Sequence, residues 1–283
     1  MTKTDTKASK TVTEQRPVPV SLSIVVPVYN EVPRLPLTFE ALLADVDWGI
    51  FALREVIFVN DGSTDKTVAV IKNHRAQLEK KTGAQVNIIS YTPNRGKGYA
   101  IRTGMLAATG DYILMMDADM STPLSELKRL QSGVRRRRPI IIGTRKSRVV
   151  RVEKEQPWIR VFMGRVYTQL AQSFLNTYVS DFTCGFKLFR YDVAQKIFGR
   201  SRIERWSYDA EIMFLSVRLG FRPLEVAVRW HNDERSRVNV VRDASRSFVD
   251  LLSIRAHQLL GHYQLPQGIG FGNRKNRSSE NGD

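Results

Sequence analysis

The sequence predicts an α/β protein, a mostly parallel sheet with helices on both faces. Three observations predict it. Strand-sized runs alternate with helix-length segments through the first half of the chain, the pattern of right-handed βαβ units. One run, Tyr112-Ile113-Leu114-Met115-Met116, is apolar at every position, as a buried strand is. The polar, turn-forming segments each follow a strand, so a parallel sheet gathers them at one edge.

Each element has its own signal. Residues 1–20 are a Lys/Thr/Pro-containing tail expected to be disordered. Ser23 to Val28 is the first strand and Leu35 to about Val46 the first helix. Arg54 to Asn60 is the second strand, with a helix from Asp65 to about Lys80 capped by Ser63 or Thr64. Val86 to Ser90 is the third strand and Gly98 to Ala108 the third helix. The Tyr112 to Met116 strand leads through Ser121-Thr122-Pro123, good capping sequence, into a helix from Pro123 to Val134. Ile140 to Gly143 is a fifth strand. Farther on, Trp158 to Tyr178 carries an apolar helical face of Trp158, Val161, Phe162, Val166, Leu170 and Phe174. A second amphipathic segment carries Phe248, Val249, Leu251, Leu252, Ile254, Leu259 and Leu260. Both faces read either as core or as membrane contact. The expected organisation is a tail over 1–20, one domain over 21–242, an amphipathic helical segment over 243–271 and a tail over 272–283.

Charge and cysteine usage narrow the class. The formal charge is +16, and between Lys128 and Arg165 stand thirteen Lys/Arg and two Asp/Glu, a net of +11. This stretch reads as a solvated face or as a surface for anionic lipid, phosphate or nucleic acid. From Arg135 to Lys154 it has no aromatic residue to stack on bases, which counts against nucleic acid. A single cysteine, Cys184, excludes an internal disulfide framework and suits a reducing compartment. The longest apolar stretches are strand-sized, and residues 1–20 lack the apolar core of a signal peptide, so a cytoplasmic protein is expected.

Four loops converge on the carboxyl edge of the expected sheet. They are Pro27-Val28-Tyr29-Asn30-Glu31, Asn60-Asp61-Gly62-Ser63-Thr64-Asp65, Asn94-Arg95-Gly96-Lys97-Gly98 and Asp117-Ala118-Asp119. Taken singly, each is a turn or a cap, and Asp117-Ala118-Asp119 on its own reads first as an acidic turn before a helix. Together they read as a nucleotide site, in which two carboxylates one residue apart present hard oxygen ligands to Mg²⁺ or Mn²⁺ on a diphosphate. Gly96-Lys97-Gly98 is neither a dinucleotide fingerprint nor a Walker loop, which argues against a dehydrogenase or an NTPase.

These motifs, from Ser23 to about Arg255, resemble family 2 glycosyltransferases of the GT-A fold. Within that family they resemble the dolichyl-phosphate β-glucosyltransferases and mannose synthases. Gly143-Thr144-Arg145 and Asp181 to Phe189 also match, and the segments from Cys184 to Phe189 and from Glu204 to Glu211 point to the lipid-phosphate glucosyltransferase branch. The resemblance implies that Pro27, Tyr29 and Glu31 line the nucleoside pocket and that Asp61 hydrogen-bonds base or ribose. It implies that Lys97 and Arg102 lie near the diphosphate, that Asp117-Ala118-Asp119 contacts the nucleotide sugar, and that Asp119 with Asp117 ligates Mg²⁺ or Mn²⁺. Arg145, Arg160 and Arg237 would hold the acceptor phosphate. Of Asp209 and Glu211, one faces the site and the other complements a helix N-terminus.

The implied reaction is inverting transfer of a hexose, glucose from UDP-glucose foremost, onto a polyprenyl or dolichyl phosphate. GDP-mannose as donor, or a sugar hydroxyl as acceptor, are the alternatives. A phosphate acceptor is already anionic near neutrality and needs no general base, whereas a hydroxyl acceptor makes Asp209 essential. The lipid tail of the acceptor then places the protein peripherally on the inner face of an anionic membrane, with no nucleic-acid partner.

Overall fold

Residues 19–145, 158–175, 177–231 and 240–264 are described in the computed structural model. The central strand β1 (Val20–Val28) is buried from Leu22 onward. Its side chains divide by parity: Ile24, Val26 and Val28 enter one core and Val25 the other. That is the alternation of a strand covered on both faces. Parallel to it run β2 (Phe51–Asp61) and β3 (Gln85–Tyr91) on one side and β4 (Tyr112–Met115) on the other.

The connecting helices are α1 (Leu35–Leu43), α2 (Thr67–Thr82), α3 (Lys97–Ala107) and α4 (Leu127–Arg135). α1 stops short of Val46 because Ala44 turns to extended backbone, ψ 160°. Neither Ser63 nor Thr64 caps α2. The N-cap position is Lys66, and Asp65, one residue earlier, takes the first helical amide, its Oδ1 accepting Thr67 N–H at 2.9 Å. The helix expected from Pro123 opens instead as a 3-10 turn over Leu124–Glu126. α2 ends at Gly83, φ 69°, after Lys80 and Lys81, which complement the dipole of its last turn.

The second half departs from a purely parallel sheet. The strand order is β3-β2-β1-β4-β6-β5-β7, with β5 (Ile140–Thr144), β6 (Lys187–Arg190) and β7 (Leu224–Ala227). β6 is antiparallel to both β4 and β5, Lys187 pairing with Met115 and with Ile142. The chain enters β6 from the carboxyl edge, so the strand must run back, and its first residue stands at the ligand edge. Around these strands lie α5 (Trp158–Leu175), α6 (Tyr191–Phe198), α7 (Tyr208–Arg218) and α8 (Val240–Leu259). α1, α2 and α4 cover one face of the sheet, and α3 with α5 to α8 the other.

The order reverses between β1 and β4, a topological switch point whose carboxyl end is a ligand crevice. The last β1–β4 pair is Val25 with Met115. Pro27, two residues on, lies where β4 no longer needs a hydrogen-bond donor. At the opposite edge Arg135, Arg136, Arg137 and Arg138 are exposed, and the Arg138 carbonyl accepts the hydroxyl of Tyr112, the first residue of β4, at 3.0 Å. These four arginines are therefore remote from the crevice, and Lys146 to Lys154 lie outside the described residues.

Candidate active site

The loops after β1 and β2 are stitched together. Asn30, in the left-handed region at φ 53°, accepts the Thr64 amide at 2.8 Å and the Asp65 amide at 3.3 Å on its Oδ1. Its own amide donates to Ser63 Oγ at 3.0 Å, and the Glu31 amide to Thr67 Oγ1 at 2.8 Å. Glu31 also faces Arg34 at 3.2 Å, and Tyr29 is 40% exposed at the rim.

Asp61 has a structural task as well as its expected place at the edge. Its carboxylate accepts the Arg95 amide at 2.8 Å, the Gly96 amide at 2.9 Å and Asn94 Nδ2 at 2.7 Å. It thus fixes the turn that starts α3. Gly96, φ 115°, and Gly98 face the 203–205 backbone, where a Cβ would come within 2.6 Å of the Glu204 carbonyl and 2.5 Å of the Ile203 carbonyl. Only glycine permits this approach. The Tyr99 amide donates to the Glu204 carbonyl at 2.9 Å, and Arg95 pairs with the Glu204 carboxylate.

At the end of β4, Lys97 Nζ stands 2.6 Å from Asp117 Oδ1. The Asp117 carboxylate lies against Gly185, where any Cβ would overlap it. Burial pushes the Asp117 carboxyl up, but Lys97, with Lys187 and Arg145 beyond, reverses this and holds it below the usual value. Asp119 goes the other way: burial and the Asp117 charge push it up, although its Oδ1 accepts the Ser121 amide at 2.9 Å. The Ala118 carbonyl accepts Thr38 Oγ1 at 2.7 Å, tying this loop to α1.

Two further ion pairs form the other wall. Lys187, with no exposure, donates to the Cys184 carbonyl at 2.6 Å and pairs with Asp209 at the start of α7. Burial raises the Asp209 carboxyl and Lys187 opposes that rise. Arg145 grips Asp181 through Nε at 2.8 Å and Nη2 at 2.7 Å, and Nη2 also donates to Thr183 Oγ1 at 2.6 Å. Its guanidinium stands 5.2 Å from the Trp230 ring centre. Cys184 is buried between these pairs against Gly143, and burial pushes its thiol up.

Asp209 is therefore the one of the α7 carboxylates that faces the crevice. Glu211 turns away: it accepts the Arg202 amide at 2.8 Å, the Ile203 amide at 2.9 Å and the Tyr263 hydroxyl at 2.8 Å. Arg102 is likewise elsewhere, donating to the Phe198 carbonyl at 3.1 Å. Arg160 falls on α5, but its side chain, like all of Arg237, lies outside the described residues. The structure thus gathers Tyr29, Glu31, Asp61, Lys97, Asp117, Ala118, Asp119, Arg145 and Asp209 at one edge. It adds Asp181, Gly185 and Lys187. Lys187 carried a signal in the sequence, a lone charge inside the apolar run Phe186 to Phe189.

The donor set suits a hard divalent cation. Burial and, after it, the Asp117 charge raise the Asp119 carboxyl, and a cation on the pair would offset that charge. Among the described residues no group of three or more acidic, His or Cys side chains could hold an ion. The two carboxylates would therefore share it with phosphate oxygens and water, as Mg²⁺ sites commonly do.

The switch-point crevice, with its acidic pair, a lysine at a helix start and a wall of paired basic residues, has the GT-A architecture. The glycosyl transferase family 2 pattern matches residues 23–198, and the chain belongs to that family: it is a glycosyltransferase. The dolichyl-phosphate beta-glucosyltransferase of Drosophila melanogaster is 33% identical over 257 residues, 87% of this chain and 78% of its own. That of Dictyostelium discoideum is 29% identical over 258 residues, 87% and 77% of the two chains. Among solved structures, glucosyl-3-phosphoglycerate synthase from Mycobacterium tuberculosis with Mn²⁺, UDP and glucosyl-3-phosphoglycerate shares the fold. Its TM-score is 0.56 at 18% identity, covering 88% of this chain and 82% of that one.

Proposed function

We propose that this glycosyltransferase moves glucose from UDP-glucose onto a polyprenyl or dolichyl phosphate with inversion, using Mg²⁺ or Mn²⁺. The relatives named above act on dolichyl phosphate, and a neighbour of like fold holds Mn²⁺ and UDP. The observation that carries the acceptor assignment is the pairing of Asp209 with the buried Lys187. Asp117 and Asp181 are paired in the same way, and Asp119 is assigned to the metal. A sugar hydroxyl would need a free carboxylate to take its proton. A phosphate monoester, with a second pKa near about 6, arrives as the anion.

In this reading an acceptor phosphate oxygen attacks the anomeric carbon from the face opposite the diphosphate. The new C–O bond forms as the bond to the diphosphate breaks, through a transition state of oxocarbenium character. A divalent cation on Asp117 and Asp119 would offset charge growing on the leaving diphosphate. Lys97 adds its charge from the start of α3. Tyr29, Glu31 and Pro27 border the base and ribose, and Asp61 holds the loop that carries Lys97. Asp181 and Thr183 take Nε and Nη2 of Arg145 and fix its guanidinium plane, which leaves Nη1 to meet the incoming phosphate.

The acceptor's hydrocarbon tail implies peripheral attachment at the cytoplasmic face of an anionic membrane. No helix among the described residues is long and apolar enough to cross one. α8 buries Leu251 and Ile254 and exposes Val249, Leu252 and Leu259, with Leu260 exposed just beyond its end, a stripe suited to shallow insertion. Incubation with radiolabelled nucleotide sugars, polyprenyl phosphate and Mn²⁺ tests the reaction. Label from UDP-glucose should enter the organic phase, and Asp119→Ala should abolish this while the protein stays folded. Label from GDP-mannose alone would replace the donor, and full activity in Asp119→Ala would remove the metal assignment.

A further inference from the structure

Lys97 stands where a cation has to go. Its ammonium is 2.6 Å from Asp117 Oδ1, and the carboxylate's other side is closed by Gly185, where a Cβ would overlap it. A metal approaching Asp117 therefore meets Lys97. The backbone beneath Lys97 is fixed, because Gly96 and Gly98 fit against the Glu204 and Ile203 carbonyls and Asp61 holds the preceding amides. The side chain is not so bound. A lysine ammonium is a point charge with three donors on a flexible four-carbon stem, able to pass from one anion to another by rotating its own bonds. A diphosphate entering beside Asp117 supplies such an anion, along with oxygen ligands for the metal.

We propose that Lys97 is a resident counter-ion. In the empty site its ammonium holds the place on Asp117 that the divalent metal takes, and the donor's diphosphate draws it off. The inference rests on the nucleotide-diphosphate reading above. Metal and nucleotide then bind with positive coupling, each aiding the other by the same factor. After transfer, the nucleotide and metal leave together and Lys97 returns to Asp117, so the carboxylate pair is never left without a cation.

Titration of the full chain with Mn²⁺, followed by the electron paramagnetic resonance signal of the free ion, tests this without any turnover. UDP should tighten Mn²⁺ binding by wild type by about tenfold or more, within the usual range of coupling. Lys97→Met without UDP should bind Mn²⁺ on the order of tenfold more tightly than wild type, and UDP, which still brings phosphate ligands, should then tighten it by a smaller factor than in wild type. Should Lys97→Met fail to fold, Lys97→Gln carries the same expectation. Mn²⁺ binding by the variant no tighter than by wild type in the absence of UDP overturns the proposal. If wild type binds no Mn²⁺ even with UDP, the nucleotide–metal reading itself fails, and this inference with it.

Discussion

A lysine with no exposure, such as Lys187, persists only where its charge is met, and Asp209 and the Cys184 carbonyl meet it. Removing one member of a buried pair strands the other, whereas replacing both with apolar groups of similar size is often neutral. Lys187→Met should therefore lose about 3–5 kcal/mol in urea unfolding. The double variant Lys187→Met/Asp209→Leu should be more stable than Lys187→Met alone, and an additive loss would exclude the pairing. At this scale the sequence disclosed residue types better than tasks. Asp61 and Arg145 lie at the expected edge, yet their partners are Asn94 to Gly96 and Asp181, set by contacts 33 to 36 residues away in the chain. No local pattern encodes such pairings.

Elements with a strong local signal are where the sequence places them. β1 to β5 and α1 to α4 carry apolar runs, caps or punctuating glycines, and their ends move by only a few residues. β6 and β7 have four residues each, too few for a period, and the direction of β6 depends on which edge the chain enters. α7 is buried at nine of its eleven positions, so it has no polar face to show a helical repeat. Its Glu211 joins three elements by accepting from the 202–203 backbone and from Tyr263, just beyond α8. Tyr263→Phe leaves that carboxylate one donor short and should cost about 1–3 kcal/mol in thermal or urea unfolding. Hydrogen exchange should quicken at the end of α8 and around Arg202; unchanged exchange there would mean that Glu211 does not secure α8.

Among the described residues the basic stretch is divided by the sheet, with Arg145 at the crevice. Arg135 to Arg138 lie at the edge opposite the crevice, joined to the start of β4 through Tyr112. Replacing all four by Gln should leave Mn²⁺–UDP binding and transfer to a short-chain polyprenyl phosphate in detergent unchanged. A large loss of either would mean that these arginines reach the site. Val249→Ser/Leu252→Ser/Leu259→Ser, on the exposed side of α8, should weaken binding to anionic vesicles in a flotation assay without lowering the melting temperature. The buried position of Cys184 between β5 and the Lys187 wall has a practical yield. It is the sole thiol among 283 residues, and a thiol must ionise and meet reagent to react. Its rate of alkylation is therefore a clock for how often this wall of the crevice breathes open. That clock should slow when UDP and Mn²⁺ are bound.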